Sequence, residues 1–157
     1  MVAEAIKSRA APIYQVRTFR SRDALGALVG LARKALVEEF DRELAPLGLN
    51  TAQALVLVLM ADERAGTAAE ACKHLLYDPG AMTRLIEKLE ALGLVRRMRG
   101  GRDRRSARLE LTSDGRRLHG AVTRVQVAVL NRMLRGFSRS EARTLEALLR
   151  RMLANAA

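Results

Sequence analysis

Cysteine and aromatic side chains are scarce in this sequence. The chain has one cysteine, no tryptophan, two tyrosines and three phenylalanines among 157 residues. The single thiol, Cys72, excludes an internal disulfide framework and is typical of a reducing compartment. Aromatic and β-branched residues favour sheets, whereas Leu and Ala favour helices. An apolar content of 49% with so few aromatics therefore predicts a mainly helical protein.

Long apolar runs and catalytic motifs are also missing. No apolar run reaches the roughly 18 residues that a membrane span needs, and the segment Met1–Tyr14 lacks the apolar core of a signal peptide. We therefore expect a cytoplasmic protein that does not enter a membrane. His74 and His119 have no partners at a metal-binding spacing, and neither a nucleophile motif nor a phosphate-binding glycine loop is present. These absences predict no enzyme activity, no metal and no resident cofactor.

Positive charge is abundant and concentrated in one segment. The chain carries 28 Lys and Arg against 17 Asp and Glu, a formal net charge of +11. The stretch Arg96–Arg108 contains seven arginines and one acid, Asp103, and so contributes +6 of that charge. Such a basic footprint indicates a polyanionic partner, either nucleic acid or an anionic membrane surface, although like-charge runs also occur as solvated segments.

The first half of the chain predicts an arm and two helices. Residues 1–20 show no clear helical period and are expected to form an arm that is either loose or packed against a partner. Leucine-rich periodicity predicts one long helix over Ser21–Leu44. Asn50 and Gln53 form a capping-box pair that opens a second helix, which is apolar nearly all round and should be central and buried.

Two further start signals follow closely. Thr67 and Glu70 open a short third helix, and Asp78 opens a fourth. The apolar face of the third helix is predicted to comprise Ala68, Cys72, Leu75 and Leu76, and that of the fourth Met82, Leu85, Ile86, Leu89 and Leu92. With only Tyr77 between them, the two helices form a helix-turn-helix, the geometry that offers its second helix to a DNA groove.

The basic stretch is bounded by strand signals. Leu94–Met98 and Ala107–Leu111 predict two short strands with two glycines between them, so the arginines are interpreted as a β-hairpin with a basic tip. Thr112 then caps a fifth helix, and Ser138 with Glu141 caps a sixth. Their apolar stripes are Leu118, Val122, Val125, Val129 and Met133, and Leu145, Leu148, Leu149 and Met152.

Four stretches of the sequence carry a family resemblance. The most specific is the pattern D-x-R-S-x-x-x-x-L-T at Asp103–Thr112. The others are GLNTAQ at Gly48–Gln53, TAAEACKHL at Thr67–Leu75 and TRLIEKLEALGLVRR at Thr83–Arg97. With these matches, the chain from about Arg22 onward resembles the MarR family of transcriptional regulators. The resemblance implies a mainly α fold, a winged helix-turn-helix with a small β-hairpin wing. Its order is two helices, a short strand, two helices, two wing strands and two helices.

The resemblance also implies an organisation and a function. Residues 1–20 are an N-terminal arm and 21–157 a single domain, in which 21–47 and 113–157 form the dimerisation stem and 48–112 bind DNA. The expected protein is a homodimeric repressor of a pseudo-palindromic operator, released by a small molecule, for example an aromatic or phenolic carboxylate, or by an oxidant. The redox-sensing branch has a cysteine near the start of its first helix, and its absence here argues against a peroxide sensor.

The residues expected to read DNA lie on the fourth helix. Its small first residues allow a close approach of the backbone to the duplex and point free N–H groups at phosphate. Thr83 and Arg84 are candidates for reading base edges, with Arg84 at a guanine. The recognition-helix set is Pro79, Gly80, Ala81, Thr83, Arg84 and Lys88. For an unplaced helix this face would be interpreted as merely solvated, but the flanking helix and hairpin favour DNA.

The resemblance assigns Arg105 of the wing to the minor groove, with Asp103 bracing its guanidinium. Arg102 and Arg104 are expected at phosphates, and Thr67 and Arg97 at the DNA backbone. For Arg96, Arg97 and Arg99, a solvated role and a phosphate contact are equally favoured.

The effector site and the rival function are less defined. The resemblance places a pocket between stem and winged region. Arg20 or Arg22, near the start of the first helix, is a candidate for holding a carboxylate, although a solvated role is favoured for either residue taken alone. Cys72 is interpreted as a small core residue rather than a sensor. A non-specific nucleic-acid-binding or architectural protein is the alternative, although the basic segment lacks the aromatics that stack on bases.

Overall fold

The computed structural model describes residues 12–98 and 107–156. The chain divides into two compact units, Met1–Ala35 and Leu36–Ala157, which are described separately. The helices are α1 Leu25–Leu44, α2 Thr51–Ala61, α3 Ala68–Leu75, α4 Pro79–Ala91, α5 Ser113–Met133 and α6 Arg139–Ala154, and the strands are β1 Val95–Arg97 and β2 Leu109–Leu111. Short 3-10 turns cover Ser21–Asp23 and Ala45–Leu47. The mainly helical fold predicted from composition is confirmed.

In the first unit, an aromatic pair supports the start of α1. The rings of Tyr14 and Phe19 meet edge to face with centroids 5.5 Å apart, and the Leu25 N–H donates to Tyr14 Oη at 3.0 Å. The predicted helix start at Ser21 is therefore corrected to Leu25. The preceding 3-10 turn interrupts the helical period, and a tyrosine hydroxyl satisfies the first helical N–H.

Side-chain caps fix the starts of the other helices. In the capping box of α2, Asn50 Oδ1 accepts from the Gln53 N–H at 3.0 Å, and Gln53 Oε1 accepts from the Asn50 N–H at 2.9 Å. The N-cap bond predicted at each of Asn50, Thr67, Asp78, Thr112 and Ser138 is formed. The full capping box predicted at Thr67 and Glu70 is not, because the Glu70 carboxylate accepts from the Gly66 N–H instead. These local bonds satisfy N–H groups that a helix leaves without partners.

The core of the second unit surrounds α2. The fully buried side chains Val56 and Leu57 of α2 meet Met82, Ile86 and Leu89 of α4. Val122 of α5 and the strand residues Leu109 and Leu111 complete this core. The prediction that α2 is central is confirmed, and so is the inward stripe of α4 except at Leu92, which lies past the helix end and is exposed.

The turn between α3 and α4 differs from the prediction. Leu76 was expected on the apolar face of α3, but α3 ends at Leu75, and Leu76 is its C-cap in the left-handed region with φ 55°. Its side chain is 90% exposed, and the buried residue of α3 is Ala71. A stripe extended by periodicity fails here because the backbone turns away. The turn is Leu76–Asp78 rather than Tyr77 alone.

The strands form a short antiparallel pair. Val95 pairs with Leu111 and Arg97 with Leu109, and the Met98 N–H donates to the Arg108 carbonyl at 2.8 Å. Each strand has three residues, fewer than the sequence predicted. Between α2 and α3, where the resemblance implied a short strand, the described residues form one backbone hydrogen bond to the sheet, from the Leu109 N–H to the Gly66 carbonyl at 2.8 Å.

The last two helices bury only part of their apolar stripes. In α5, Val122 and Val129 are fully buried, whereas α6 has no fully buried residue.

Among the described residues, no single helix is long and apolar enough to cross a membrane. The consecutive segments Leu25–Leu47 and Thr51–Ala61, taken as a pair, have the length and the apolar composition of a membrane span.

Candidate nucleic-acid interface

The N-terminus of α4 presents a small, exposed first turn. Pro79 and Gly80 are exposed and Ala81 is half-buried. The Ala81 N–H donates to Asp78 Oδ1 at 2.9 Å, and proline has no N–H. The sequence predicted free N–H groups here for phosphate, and of the Gly80 and Ala81 N–H groups only that of Gly80 has no hydrogen bond within the described residues. The anion-binding capacity of this helix end is therefore narrower than the sequence indicated, because the capping carboxylate occupies part of it.

The polar face of α4 lies opposite its buried face. Thr83, Arg84 and Lys88 are exposed, as is Glu87. The Thr83 hydroxyl donates to the Pro79 carbonyl at 2.8 Å, so this side chain offers its methyl group and its oxygen lone pairs outward. A Cβ on Gly80 would lie 3.6 Å from Arg84 Nη1, which places the guanidinium over the first turn of the helix. The structure thus brings the predicted α4 residues onto one surface.

Thr67 serves as the cap of α3. Its Oγ1 accepts from the Glu70 N–H at 3.2 Å, while Glu70 Oε2 accepts from the Gly66 N–H at 2.7 Å. The bond from the Gly66 backbone, with those from Thr67, lowers the pKa of Glu70 below its ordinary value. The predicted contact of Thr67 with the DNA backbone stays a prediction.

The arginines at the base of the hairpin are ion-paired. Arg97 Nε lies 3.1 Å from Glu90 Oε2, and Arg96 Nη2 lies 3.0 Å from Glu110 Oε2. Arg97 was predicted to contact the DNA backbone, and its pair with Glu90 in the last turn of α4 now gives it a second role. It links β1 to α4, while its charge is partly neutralised.

The tip of the hairpin lies outside the described residues. This applies to the predicted wing set Arg102, Asp103, Arg104 and Arg105, and to Arg99. The described part of the hairpin, β1 and β2, follows α4 directly along the chain.

Two clefts flank the hairpin base within the second unit. One, of about 650 Å³, lies between α3, α4 and the strands, and its lining includes Cys72, Thr83 and Arg97. Cys72 is half-buried and packs against the core, as its interpretation as a small core residue requires, but it also faces this cleft. The second, of about 830 Å³, lies between the end of α2, β2 and α5, and its lining includes Arg108, Arg116, His119, Glu63 and Glu110.

The predicted ligand residues belong to the first unit. Arg20 and Arg22 are both exposed, and Arg20 Nη1 donates to the Phe19 carbonyl at 3.2 Å. Their role stays a prediction. Within residues 12–98 and 107–156, no group of three or more His, Cys, Asp or Glu side chains is arranged to hold a metal ion.

Sequence reasoning missed two features that position the interface. Gly115, in the first turn of α5, lies against the Leu94 carbonyl, and a glycine inside a predicted helix was a usable signal. Arg132 of α5 bonds Glu39 Oε2 at 2.8 Å and Glu43 Oε1 at 2.7 Å in α1. Desolvation alone would raise the pKa of Glu39, but hydrogen bonds from Arg42 and Arg132 outweigh it and lower that pKa. No local pattern predicts a pair so distant along the chain.

A short helix, a tight turn and a second helix followed by an antiparallel hairpin define a winged helix-turn-helix protein. The model of the MarR family matches residues 47–106. The chain is 28% identical over 130 residues to the multiple antibiotic resistance protein MarR of Escherichia coli K12, covering 82% of this chain and 90% of that protein.

Solved structures extend this similarity. The crystal structure of the transcriptional regulator PA3341 is 33% identical with a TM-score of 0.74, covering 85% of this chain and 98% of that one. A mutant MarR from E. coli in complex with operator DNA is 28% identical with a TM-score of 0.74, covering 82% and 93%. The chain belongs to the MarR family: it is a DNA-binding transcriptional regulator and not an enzyme.

Proposed function

We propose that the protein is a ligand-responsive repressor that binds a pseudo-palindromic operator as a homodimer. One observation carries the proposal: Thr83, Arg84 and Lys88 lie exposed on one face of α4, while the opposite face is fixed in the core by Met82 and Ile86. Such a helix is held rigidly, and its polar face is open to a major groove. The relative solved with operator DNA supports this mode of binding.

The chemistry of this face suggests how bases are read. Arg84 makes no ion pair within the described residues, so its guanidinium can bond the O6 and N7 atoms of a guanine. The Thr83 hydroxyl already donates its proton to the Pro79 carbonyl, and this favours a contact between the Thr83 methyl group and a thymine methyl. The missing side chain of Gly80 permits a close approach to the sugar–phosphate backbone.

The test compares variants on a selected operator. The operator is first selected from random duplexes with the wild-type protein. Arg84→Ala is expected to relax discrimination at one base pair per half-site by about 1 to 3 kcal/mol. Lys88→Ala should weaken operator and random duplex equally. Arg64→Ala removes the same charge from the exposed turn after α2, outside α4 and the proposed dimer helices, and serves as the control. Equal losses on both duplexes for Arg84→Ala would contradict base reading and favour a non-specific nucleic-acid-binding protein.

The wing supplies a second and independent contact. On the family pattern, Arg105→Ala should lower operator affinity and reduce the preference for A·T-rich flanks. Asp103→Ala separates orientation from charge, because loss of an acid tightens binding if only charge matters but weakens specific binding if Asp103 orients Arg105. If Asp103→Ala binds both operator and random duplex more tightly, the wing contributes only through its positive charge.

Exposed apolar side chains support the homodimer. In α5, Leu130 is 43% exposed, and in α6 Leu145 and Leu148 are 41% and 49% exposed. Obligate interfaces of this kind bury roughly 2,000 Å² or more and are largely apolar. Leu148→Asp is expected to yield monomers with weakened operator binding. Sedimentation of the wild type as a folded monomer at micromolar concentration would contradict the proposal.

The cleft between β2 and α5 is the candidate effector site. Arg108 and Arg116 line it and make no ion pair within the described residues, which supports an anionic ligand although Glu63 and Glu110 line the same cleft. The aromatic character of the ligand is suggested by the family resemblance alone. Arg20 and Arg22 remain alternatives. Aromatic carboxylates should release operator, their neutral amides should not, and Arg116→Gln should abolish the response without weakening DNA binding. If the whole panel of carboxylates left operator binding unchanged, the effector site would be rejected.

A further inference from the structure

The Thr112 side chain connects the segment that follows α4 with the first turn of α5. Its hydroxyl donates to the Gly93 carbonyl at 2.7 Å, and its oxygen accepts from the Gly115 N–H at 3.0 Å. Its own N–H donates to the Leu94 carbonyl at 3.1 Å. Thr112 therefore bonds Gly93 and Leu94, just past the C-cap of the recognition helix, while it caps α5.

The backbone on the α4 side of this contact is itself fixed. Gly93 has φ 70°, and its N–H donates to the Glu90 carbonyl, while the Leu94 N–H donates to the Leu89 carbonyl, both at 2.9 Å. These two bonds form a Schellman motif, which closes a helix in one defined conformation. The Gly93 carbonyl belongs to the same peptide group as the Leu94 N–H, so the carbonyl that accepts from the Thr112 hydroxyl is held to the end of α4.

The α5 side has no free space. A Cβ built on Gly115 would lie 2.1 Å from the Leu94 carbonyl oxygen and 3.3 Å from Leu111 Cδ2. The first turn of α5 therefore rests directly on the backbone that leaves α4. We name Gly93, Leu94, Thr112 and Gly115 the α4–α5 junction.

We propose that the α4–α5 junction is a positioning element that sets the angle of α5 to the recognition helix and so selects the half-site spacing of the operator. This inference rests on the proposed homodimer, in which α5 and α6 carry the interface. A 21-residue helix is about 31 Å long, so a tilt of about 6° at its first turn moves its far end by about 3.4 Å, the rise of one base pair. Leu130 and Met133, with exposed apolar side chains, lie at that far end.

The experiment measures a spacing preference rather than affinity alone. Thr112→Val removes the hydroxyl at nearly constant shape, and Thr112→Ser keeps it. Each protein is titrated against a duplex with the selected spacing, duplexes with spacing changed by one base pair in either direction, and a single half-site, well below the unfolding temperature. The preference for the selected spacing should fall about tenfold in Thr112→Val, equivalent to about 1.4 kcal/mol. Thr112→Ser should retain it, and single half-site affinity should stay unchanged in both.

The outcomes separate this inference from the proposed function. If Thr112→Val lowers affinity for all spacings by one factor, the junction contributes only to folding and the inference is overturned. If Thr112→Ser loses the preference as fully as Thr112→Val, the hydroxyl is not its source and the inference is again overturned. If the wild type selects isolated half-sites and sediments as a monomer, the homodimer proposal fails as well.

Discussion

Gly115→Ala introduces one methyl group where the structure has no room for it. The added Cβ would lie 2.1 Å from the Leu94 carbonyl oxygen, a backbone atom, so α5 or β1 must move by more than 1 Å to reach ordinary contact, about 3.4 Å. Any such movement stretches the bonds from Thr112 to Gly93 and from Gly115 to Thr112. The substitution therefore affects packing and hydrogen bonding together.

The expected loss follows from opposing terms. Overpacking costs about 1 to 3 kcal/mol, and each weakened hydrogen bond adds about 1 kcal/mol. Replacing a helical glycine by alanine returns up to about 1 kcal/mol. The free energy of unfolding should therefore fall by about 2 to 4 kcal/mol. Gly120→Ala is the matched control, because a Cβ there meets only Arg124 Nη1 at 3.9 Å, and it should raise stability by up to about 1 kcal/mol.

The assay is urea unfolding followed by far-UV circular dichroism, since the chain lacks tryptophan. All proteins are compared at one concentration because dimerisation contributes to apparent stability. A Gly115→Ala protein as stable as the wild type would refute the steric reasoning. A Gly120→Ala protein destabilised as strongly as Gly115→Ala would show that the loss is not specific to the junction.

Three further predictions concern the turn, an acidic cap and an ion pair. Leu76→Gly should raise the free energy of unfolding by about 1 kcal/mol, because glycine adopts the left-handed backbone at this position without strain and the exposed leucine side chain contributes little packing. Leu92→Gly, at an exposed position with right-handed backbone, should lower the free energy of unfolding. Equal effects of the two substitutions in urea titrations would contradict this. Hydrogen bonds from the Ser138 backbone and side chain lower the pKa of Glu141 in the folded protein below its ordinary value. The ionised carboxylate therefore stabilises the fold above the ordinary pKa, and this contribution is lost as the pH falls through the lower pKa of the folded state. Glu141→Gln should remove that part of the acid sensitivity, and an unchanged dependence of the urea midpoint on pH would argue against it. Glu90→Gln should free Arg97 and tighten binding to operator and random duplex alike, and the gain should vanish in an Arg97→Ala background; a gain that persists there would exclude Arg97 as its source.

The starts of the capped helices α2 to α6 were predicted correctly because caps are local, whereas the start of α1 was not. Asn50, Thr67, Asp78 and Ser138 each accept a bond from an N–H three residues ahead, so the residue types and their spacing contain the whole interaction. The family pattern at Asp103–Thr112 predicted a wing. The strands at its base are formed, while its tip lies outside the described residues and stays a prediction. Local pattern was therefore sufficient for fold class, helix order and the exposed face of α4.

The sequence-based predictions failed, or made no statement, where residues far apart along the chain contact each other. Helical periodicity predicted Leu76 to be buried because periodicity does not say where a helix ends. The residue at which α3 ends depends on how α4 packs against it. Gly115 and Leu94, and likewise Arg132 and Glu39, are adjacent only after α5 has packed on the core. The amino-acid sequence alone thus determined which segments become helices and which face of α4 stays polar, because those properties come from neighbours along the chain. Tertiary structure alone decided how α4 is joined to α5, because that contact depends on backbone atoms that packing brings together.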